Sequence, residues 1–229
     1  MAVNTVGTID DRVKVKTVLM SVFDKAGLDV LARALLHANP GIQILSTGGT
    51  YSALQSALGA SAAAALRQVS AYTGQPEMQG GLVKTLDFKI YLGLLSETYN
   101  VSHAADLQRT GAAAIDCVVV NLYPFEQTIA RAGATLEDAR ANVDIGGPCM
   151  VRAAAKNFHR VTVLTDPADY TAVTDELDRQ NGTVSLATRY RLAQKAFRLI
   201  AQYDEAIARY LEATPLAAQR GIYTIRDGD

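Results

Sequence analysis

The stretch NVDIGGPCMVRAAAKN, residues 142–157, sets an acid, a glycine pair, a proline and a terminal lysine in one short order. Asp144 stands two residues ahead of Gly146, and Pro148 opens an alanine-rich helical run that stops at Lys156. A helix start alone needs no acid at that place, whereas a reaction site has a use for one. In such a site a carboxylate would hold or exchange a proton, and the Ile145 and Gly146 N–H groups would be open to a substrate that glycine lets come close. Proline suits the first helical turn, where no N–H is required. The positive helix terminus favours negative charge as it forms. Lys156 fits less simply. In one straight helix it lies about 15 Å from the start, at ~1.5 Å per residue. Either the helix breaks early, or Lys156 acts through a fold-back or in a neighbouring subunit.

A second candidate is STGGTY, where Thr47, Gly48, Gly49 and Thr50 precede a helical pattern. Glycines admit a ligand to the backbone, threonines add hydroxyls, and the following helix aims N–H groups at the site, which suits a phosphate. The same residues also make an ordinary turn and cap. The segment is neither a GxxxxGK[ST] loop nor a GxGxxG fingerprint. Asp24 and Lys25 in FDKAG, Lys84 and Thr85 in GGLVKTLDFK, and Asn121 and Tyr123 in NLYPF complete the set. Taken singly, each has a plainer reading: a solvated lysine, a packed aromatic, a loop acid, a cation at a helix end. Their order along the chain is the stronger signal.

The elements that must position these residues follow from the apolar pattern. TVLMSVF (17–23) and IQILST (42–47) read as strands, and 27–39 and 50–58 as helices. Further apolar runs follow at 90–95, 115–125 and 161–166, with a helix after Pro148 between the last two. Alternating β and α segments, whose β-rich runs are not split by polar positions, predict a parallel sheet covered on both faces. In such sheets ligands sit beyond the carboxyl ends of the strands. Asp24–Lys25, Thr47–Thr50 and Asn121–Tyr123 all follow strands. The alanine-rich 57–67 reads as a helix extension or surface segment. The tail from about 185 is strongly helical and is free to pack on the core or support a dimer.

Composition narrows the class. The chain has 229 residues, 49% hydrophobic and 20% charged, which suits one domain with a sizeable core. The net charge of −1 gives no general pull toward nucleic acid or an anionic membrane. No apolar run is long enough to span a bilayer, and the N-terminus does not read as a signal peptide. Cys117 lies in an apolar run and reads as a buried thiol, while Cys149 near a helix start has no neighbouring base in the sequence. A disulfide is not expected, and a reducing cytoplasm fits. His37, His103 and His159 show no metal-ligand spacing, so no metal site is expected.

Taken in order, SVFDKAGL, ILSTGGT, VSAYTGQPEMQGGLVKTL, NLYPFEQTI, VDIGGPCMVRAAAKN, VTVLTDPADY and RLAQKAFRLIAQYDEAI resemble the inosine monophosphate (IMP) cyclohydrolase domain of the bifunctional purine-biosynthesis enzymes. The resemblance implies an α/β, methylglyoxal-synthase-like fold: a doubly wound, mostly parallel sheet with helices on both faces and a helical C-terminal segment. It implies a single domain over 1–229, with the α/β core at about 15–170 and the helical segment at about 185–213. The formyltransferase half is absent from this sequence, so a separate formyltransferase acting upstream is expected. The implied reaction closes 5-formamidoimidazole-4-carboxamide ribonucleotide (FAICAR) to IMP with loss of water, in a homodimer and without a cofactor. Lys84, Tyr123, Asp144 and Lys156 are the implied catalytic residues. Asp24, Lys25, Thr47, Gly48, Gly49, Thr50, Thr85, Asn121, Ile145 and Gly146 are the implied substrate contacts, with Asn121 on the base. The chain departs from the family pattern at Leu82 (usually Arg), Asp87-Phe88 (usually His-Pro), Tyr91 (usually His), Phe23 (usually Ser) and Ala26 (usually Thr). The rival readings are a nucleotide-sensing regulatory domain and a methylglyoxal-synthase-like lyase of the same fold.

Overall fold

The computed structural model describes residues 5–75, 84–215 and 221–226. Among them, seven strands form: β1 (Arg12–Lys14), β2 (Thr17–Val22), β3 (Gln43–Ser46), β4 (Leu66–Gln68), β5 (Cys117–Asn121), β6 (Thr162–Leu164) and β7 (Thr183–Ser185). The helices are α1 (Leu28–Ala38), α2 (Gly48–Leu58), α3 (Ala62–Ala65), α4 (Val69–Thr73), α5 (Phe88–Leu95) and α6 (Val101–Thr110). There follow α7 (Phe125–Ile129), α8 (Leu136–Ala141), α9 (Gly146–Lys156), α10 (Tyr170–Arg179) and α11 (Leu186–Ala213).

Five strands pair in parallel in the order β4-β3-β2-β5-β6. The chain starts in the middle, winds outward to β4, then returns to β5 and winds the other way. This is the doubly wound arrangement that the uninterrupted apolar runs predict. Right-handed crossovers then place the β2–α1–β3 and β5–α9–β6 connections on opposite faces. The remaining helices sort accordingly. α1 packs with α2 and α10, while α9 packs with α5 and α11. Val18, Val118, Val119 and Val163 of the sheet are fully buried between the two layers.

The order reverses between β2 and β5, where Val22 stands beside Asn121 at the carboxyl ends. This switch point leaves a crevice that a ligand can enter.

Several elements differ from the sequence expectation. The run 90–95 belongs to α5. Its apolar residues carry no period-two alternation, and a short apolar run does not distinguish a strand from a buried helix. Asp87 starts α5 by accepting a hydrogen bond from the Lys89 N–H at 2.8 Å. Gly93 lets α5 come close: a Cβ there would stand 2.4 Å from the Ala113 carbonyl oxygen. The alanine-rich segment is not one helix extension, because α2 ends at Leu58 and the edge strand β4 forms at Leu66–Gln68. The parallel sheet itself is as expected, with all five of its strands parallel. The antiparallel pairing is a separate ribbon of β1 and β7, with Val13 opposite Val184.

Two buried arginines fasten these parts. Arg189 on α11 is fully buried and donates to the carbonyls of Asp10, Asp11, Phe158 and His159 at 2.7–3.0 Å. It thereby joins the ribbon and the α9–β6 turn to the C-terminal helix. Arg160 lies 2.9 Å from Asp116, whose other oxygen accepts from the N–H groups of Lys16 and Thr17. Burial raises the Asp116 pKa, and Arg160 and the two N–H donors oppose that rise.

Candidate active site

A cleft of about 300 Å³ opens at the switch point, beyond the ends of β2, β3 and β5. It collects residues from five separate stretches of sequence. β2 delivers Ser21, Phe23 and Lys25; β3 and α2 deliver Thr47–Thr50; the turn before α5 delivers Lys84 and Thr85. β5 delivers Asn121 and Tyr123, and the turn into α9 delivers Asp144, Ile145 and Gly146. Of the predicted site residues, only Asp24 and Lys156 do not line this cleft.

One end of the cleft has groups that can hold an anion. α2 begins at Gly48, so both glycines of TGGT sit in its first turn, with Thr47 at the cap position. The first N–H groups of a helix have no intrahelical partner and point outward. Gly48 has φ +46°, a conformation glycine adopts without strain. Lys84 reaches this turn, its Nζ 3.4 Å from where a Cβ on Gly48 would stand. A Cβ on Gly49 would lie 4.0 Å from the Lys25 Nζ. Two ammonium groups and a helix N-terminus therefore converge on one turn. The hydroxyls are mostly committed to the fold. Thr50 Oγ1 accepts from the Val22 N–H and donates to the Val22 carbonyl, both at 3.0 Å, and Thr47 Oγ1 pairs with Ser21 Oγ at 3.0 Å. The anion contacts available here are backbone N–H groups and lysines.

The other wall carries Asp144. Its Oδ1 accepts from the Gly147 N–H at 2.8 Å, which folds the loop back over the start of α9. Gly147 has to be small, because a Cβ would stand 2.4 Å from Asp144 Oδ2 and 2.8 Å from Leu122 Cδ2. Gly146 has to be small for Thr85, whose Oγ1 would lie 2.7 Å from a Cβ. Burial raises the Asp144 pKa, and the N–H groups of Gly147 and Tyr123 oppose the rise. A carboxyl held above its ordinary range is suited to exchanging a proton.

Tyr123 is half-exposed in the cleft and meets Phe23 edge-on, with ring centroids 5.6 Å apart. Phe23 is thus an aromatic wall where the family pattern has a hydroxyl. Asn121 was expected to contact the base, but its amide is spent on the first loop. Oδ1 accepts from the N–H groups of Phe23 and Asp24 at 2.7 and 2.8 Å, and Nδ2 donates to the Asp24 carbonyl at 2.8 Å. Asp24 does not enter the cleft because its carboxylate closes a turn with the Ala26 N–H at 2.9 Å. It lines a neighbouring groove with Pro124, Gln127 and Pro167.

Lys156 lies elsewhere. α9 runs unbroken from Gly146 to Lys156, so the early break does not occur. Lys156 lines a groove between α9 and α11 with Phe158, Tyr190 and Phe197. Cys149 is partly buried and neighbours Tyr91, whose own pKa burial pushes up. The pair contains no base for the thiol. Asp87, as the α5 cap, and Tyr91 stand outside the cleft lining. Leu82 lies outside the described residues.

The sequence reading missed Ser21, which the polar residue near the end of an apolar strand could have signalled. It also missed Tyr203, which accepts a hydrogen bond from the Asp144 N–H at 2.8 Å and for which the helical tail gives no signal.

Fold and cleft together define a doubly wound α/β domain with a cationic, glycine-lined crevice at its switch point. Residues 27–149 match the family model of the MGS-like domain, and residues 154–226 match that of the AICARFT/IMPCHase bienzyme. The chain belongs to the MGS-like domain family. It is 49% identical over 209 residues to the bifunctional purine biosynthesis protein PurH of Chlorobium luteolum, covering 90% of this chain and 38% of that protein. It is 50% identical over 214 residues to the PurH of Sorangium cellulosum, covering 91% and 39%. The chain thus spans about two fifths of the length of these curated relatives. The crystal structure of ForH superposes with a TM-score of 0.71 at 33% identity, covering 85% of this chain and 97% of that one. Among the described residues, no helix is long and apolar enough to cross a membrane.

Proposed function

We propose that residues 1–229 act as one IMP cyclohydrolase domain that closes FAICAR to IMP with loss of water. The observation that carries this reading is the meeting of Lys84, Tyr123 and Asp144 in one cleft beside a TGG turn flanked by Lys25. The relatives named as purine biosynthesis proteins support it.

The carboxamide nitrogen of the substrate attacks the formyl carbon of the same molecule. One N–C bond forms, the nitrogen gives up a proton, and the formyl oxygen gains one to become a carbinolamine hydroxyl. Loss of that hydroxyl with a second proton releases water and leaves the ring. Holding the two arms together supplies much of the acceleration, since well-oriented intramolecular pairs gain roughly 7–11 kcal/mol. The TGG turn, Lys25 and Thr85 hold the phosphate and ribose. Asp144 accepts the nitrogen proton. Lys84 stabilises the developing charge on oxygen, joined by the Ile145 and Gly146 N–H groups at the start of α9. Tyr123 orients or relays the proton. A formyl transfer onto the amino group of the precursor must supply the substrate.

Phosphate recognition is testable by calorimetry. IMP is expected to bind at least about tenfold more tightly than inosine, because Lys25 and the helix start meet the phosphate that inosine lacks. Equal affinities would remove the anion site from this reading. Methylglyoxal released from dihydroxyacetone phosphate would replace it with the lyase.

Lys156 fits the reading only in a homodimer in which it reaches the partner's cleft. Mixing Lys84→Ala with Lys156→Ala then restores about a quarter of wild-type activity, because half of the dimers are mixed and each holds one intact site. If mixing restores none, Lys156 does not act across subunits.

A further inference from the structure

We infer that Tyr203, on the C-terminal helix α11, is the positioning residue that holds Asp144 in its working place. The inference rests on the proposed reading for its catalytic consequence and on geometry for the tether itself. Tyr203 stands 59 residues from Asp144 in sequence and is nine-tenths buried. Its hydroxyl oxygen accepts from the Asp144 N–H at 2.8 Å, and the hydroxyl donates to the Asn142 carbonyl at 3.3 Å. One phenol therefore clamps the backbone on both sides of Val143.

The clamp has a rigid base. Tyr203, Phe125 and Ala139 form a small apolar cluster apart from the main core, with Leu122 and Val143 packed against it. The Phe125 ring meets Tyr203 edge-on at 6.2 Å and Tyr210 at 5.8 Å. Phe125 and Leu122 flank Tyr123 in NLYPF, and Val143 precedes Asp144. The cluster thus joins the two loops that carry Tyr123 and Asp144 to one helix. Asp144 is fixed twice, by its side chain on Gly147 and by its backbone on Tyr203. If only the Gly147 contact remained, the loop would swing with the start of α9.

Tyr203→Phe tests this, because it keeps the ring in the cluster and removes only the hydroxyl. Tyr210→Phe is the control, a hydroxyl removed from the same helix and cluster. For Tyr203→Phe, kcat is expected to fall about tenfold to a hundredfold with KM changed less than about threefold, while Tyr210→Phe keeps wild-type kcat. A Tyr203→Phe protein that turns over like wild type, or a Tyr210→Phe protein equally impaired, overturns the inference. The tether has a second readout that needs no turnover. Amide hydrogen exchange at Asp144 is expected to accelerate at least about tenfold in Tyr203→Phe and to stay unchanged in Tyr210→Phe. Unchanged exchange at Asp144 in Tyr203→Phe also overturns it. If the wild-type protein forms no IMP but the exchange result holds, the proposed reaction fails and the tether stands.

Discussion

Lys84→Ala is expected to lose about a hundredfold to ten-thousandfold in kcat while folding like wild type. Lys84 makes no ion pair among the described residues, so its removal strands no charged partner there. Its ammonium rests beside Gly48 at the anion end of the cleft. That placement makes the division between kcat and KM informative. A lysine that stabilises the formyl oxygen acts only as charge develops, so its loss lowers kcat. A lysine that only grips the phosphate raises KM with kcat preserved. Lys84→Arg keeps the charge but spreads it over a planar fork, and is expected to recover substrate affinity better than turnover. Steady-state kinetics on the three proteins, with circular dichroism as a folding control, measure this. Wild-type turnover in Lys84→Ala would remove Lys84 from the mechanism.

Asp144→Asn is the second large effect. The amide keeps the shape of the carboxylate and can still accept the Gly147 N–H. It cannot take a proton from the attacking nitrogen. We expect kcat to fall by about a hundredfold or more, with KM within about threefold of wild type. The pH dependence follows from burial, the larger influence on Asp144, which raises its pKa. Wild-type kcat should therefore rise with pH along a limb set above the ordinary carboxylate range, and the Asn variant should lack that limb. Stability moves the other way. Between the ordinary and raised pKa values the native state holds more protons than the unfolded chain, so wild-type stability falls as pH rises through that window. Above it the ionised carboxylate continues to oppose folding. Asp144→Asn should thus melt at or above the wild-type temperature at pH 7. A variant that melts lower, or that changes only substrate binding, argues against a desolvated proton acceptor at this position.

The residues at the cleft were legible because parallel sheets put ligands at the strand exits. Lys25, Thr47–Thr50 and Asn121–Tyr123 each follow a run of buried β-branched or leucine residues, and the structure brings those runs together at the switch point. β4 was hidden because three residues after an alanine run carry too little pattern, and the pairing with β3 decides the matter. α5 was hidden because IYLGLL is apolar on every side, and its packing against α9, with room for it at Gly93, settles it as a helix. Asn121 and Thr50 read as ligand contacts, yet their polar atoms complete the backbone at the end of β2 and in the loop after it. Sequence shows which polar groups reach a site, but not which of them are already bonded there. Helix length placed Lys156 away from the cleft once α9 proved uninterrupted from Gly146 to Lys156.

The most direct test of the proposed chemistry is turnover of FAICAR by the purified protein, followed by ultraviolet absorbance, with the product identified by chromatography. IMP formed in many turnovers per protein molecule, and lost in Lys84→Ala and Asp144→Asn, is the predicted result. A folded protein that binds IMP through the TGG turn and yet forms none from FAICAR would contradict the assignment and leave the cleft a nucleotide sensor.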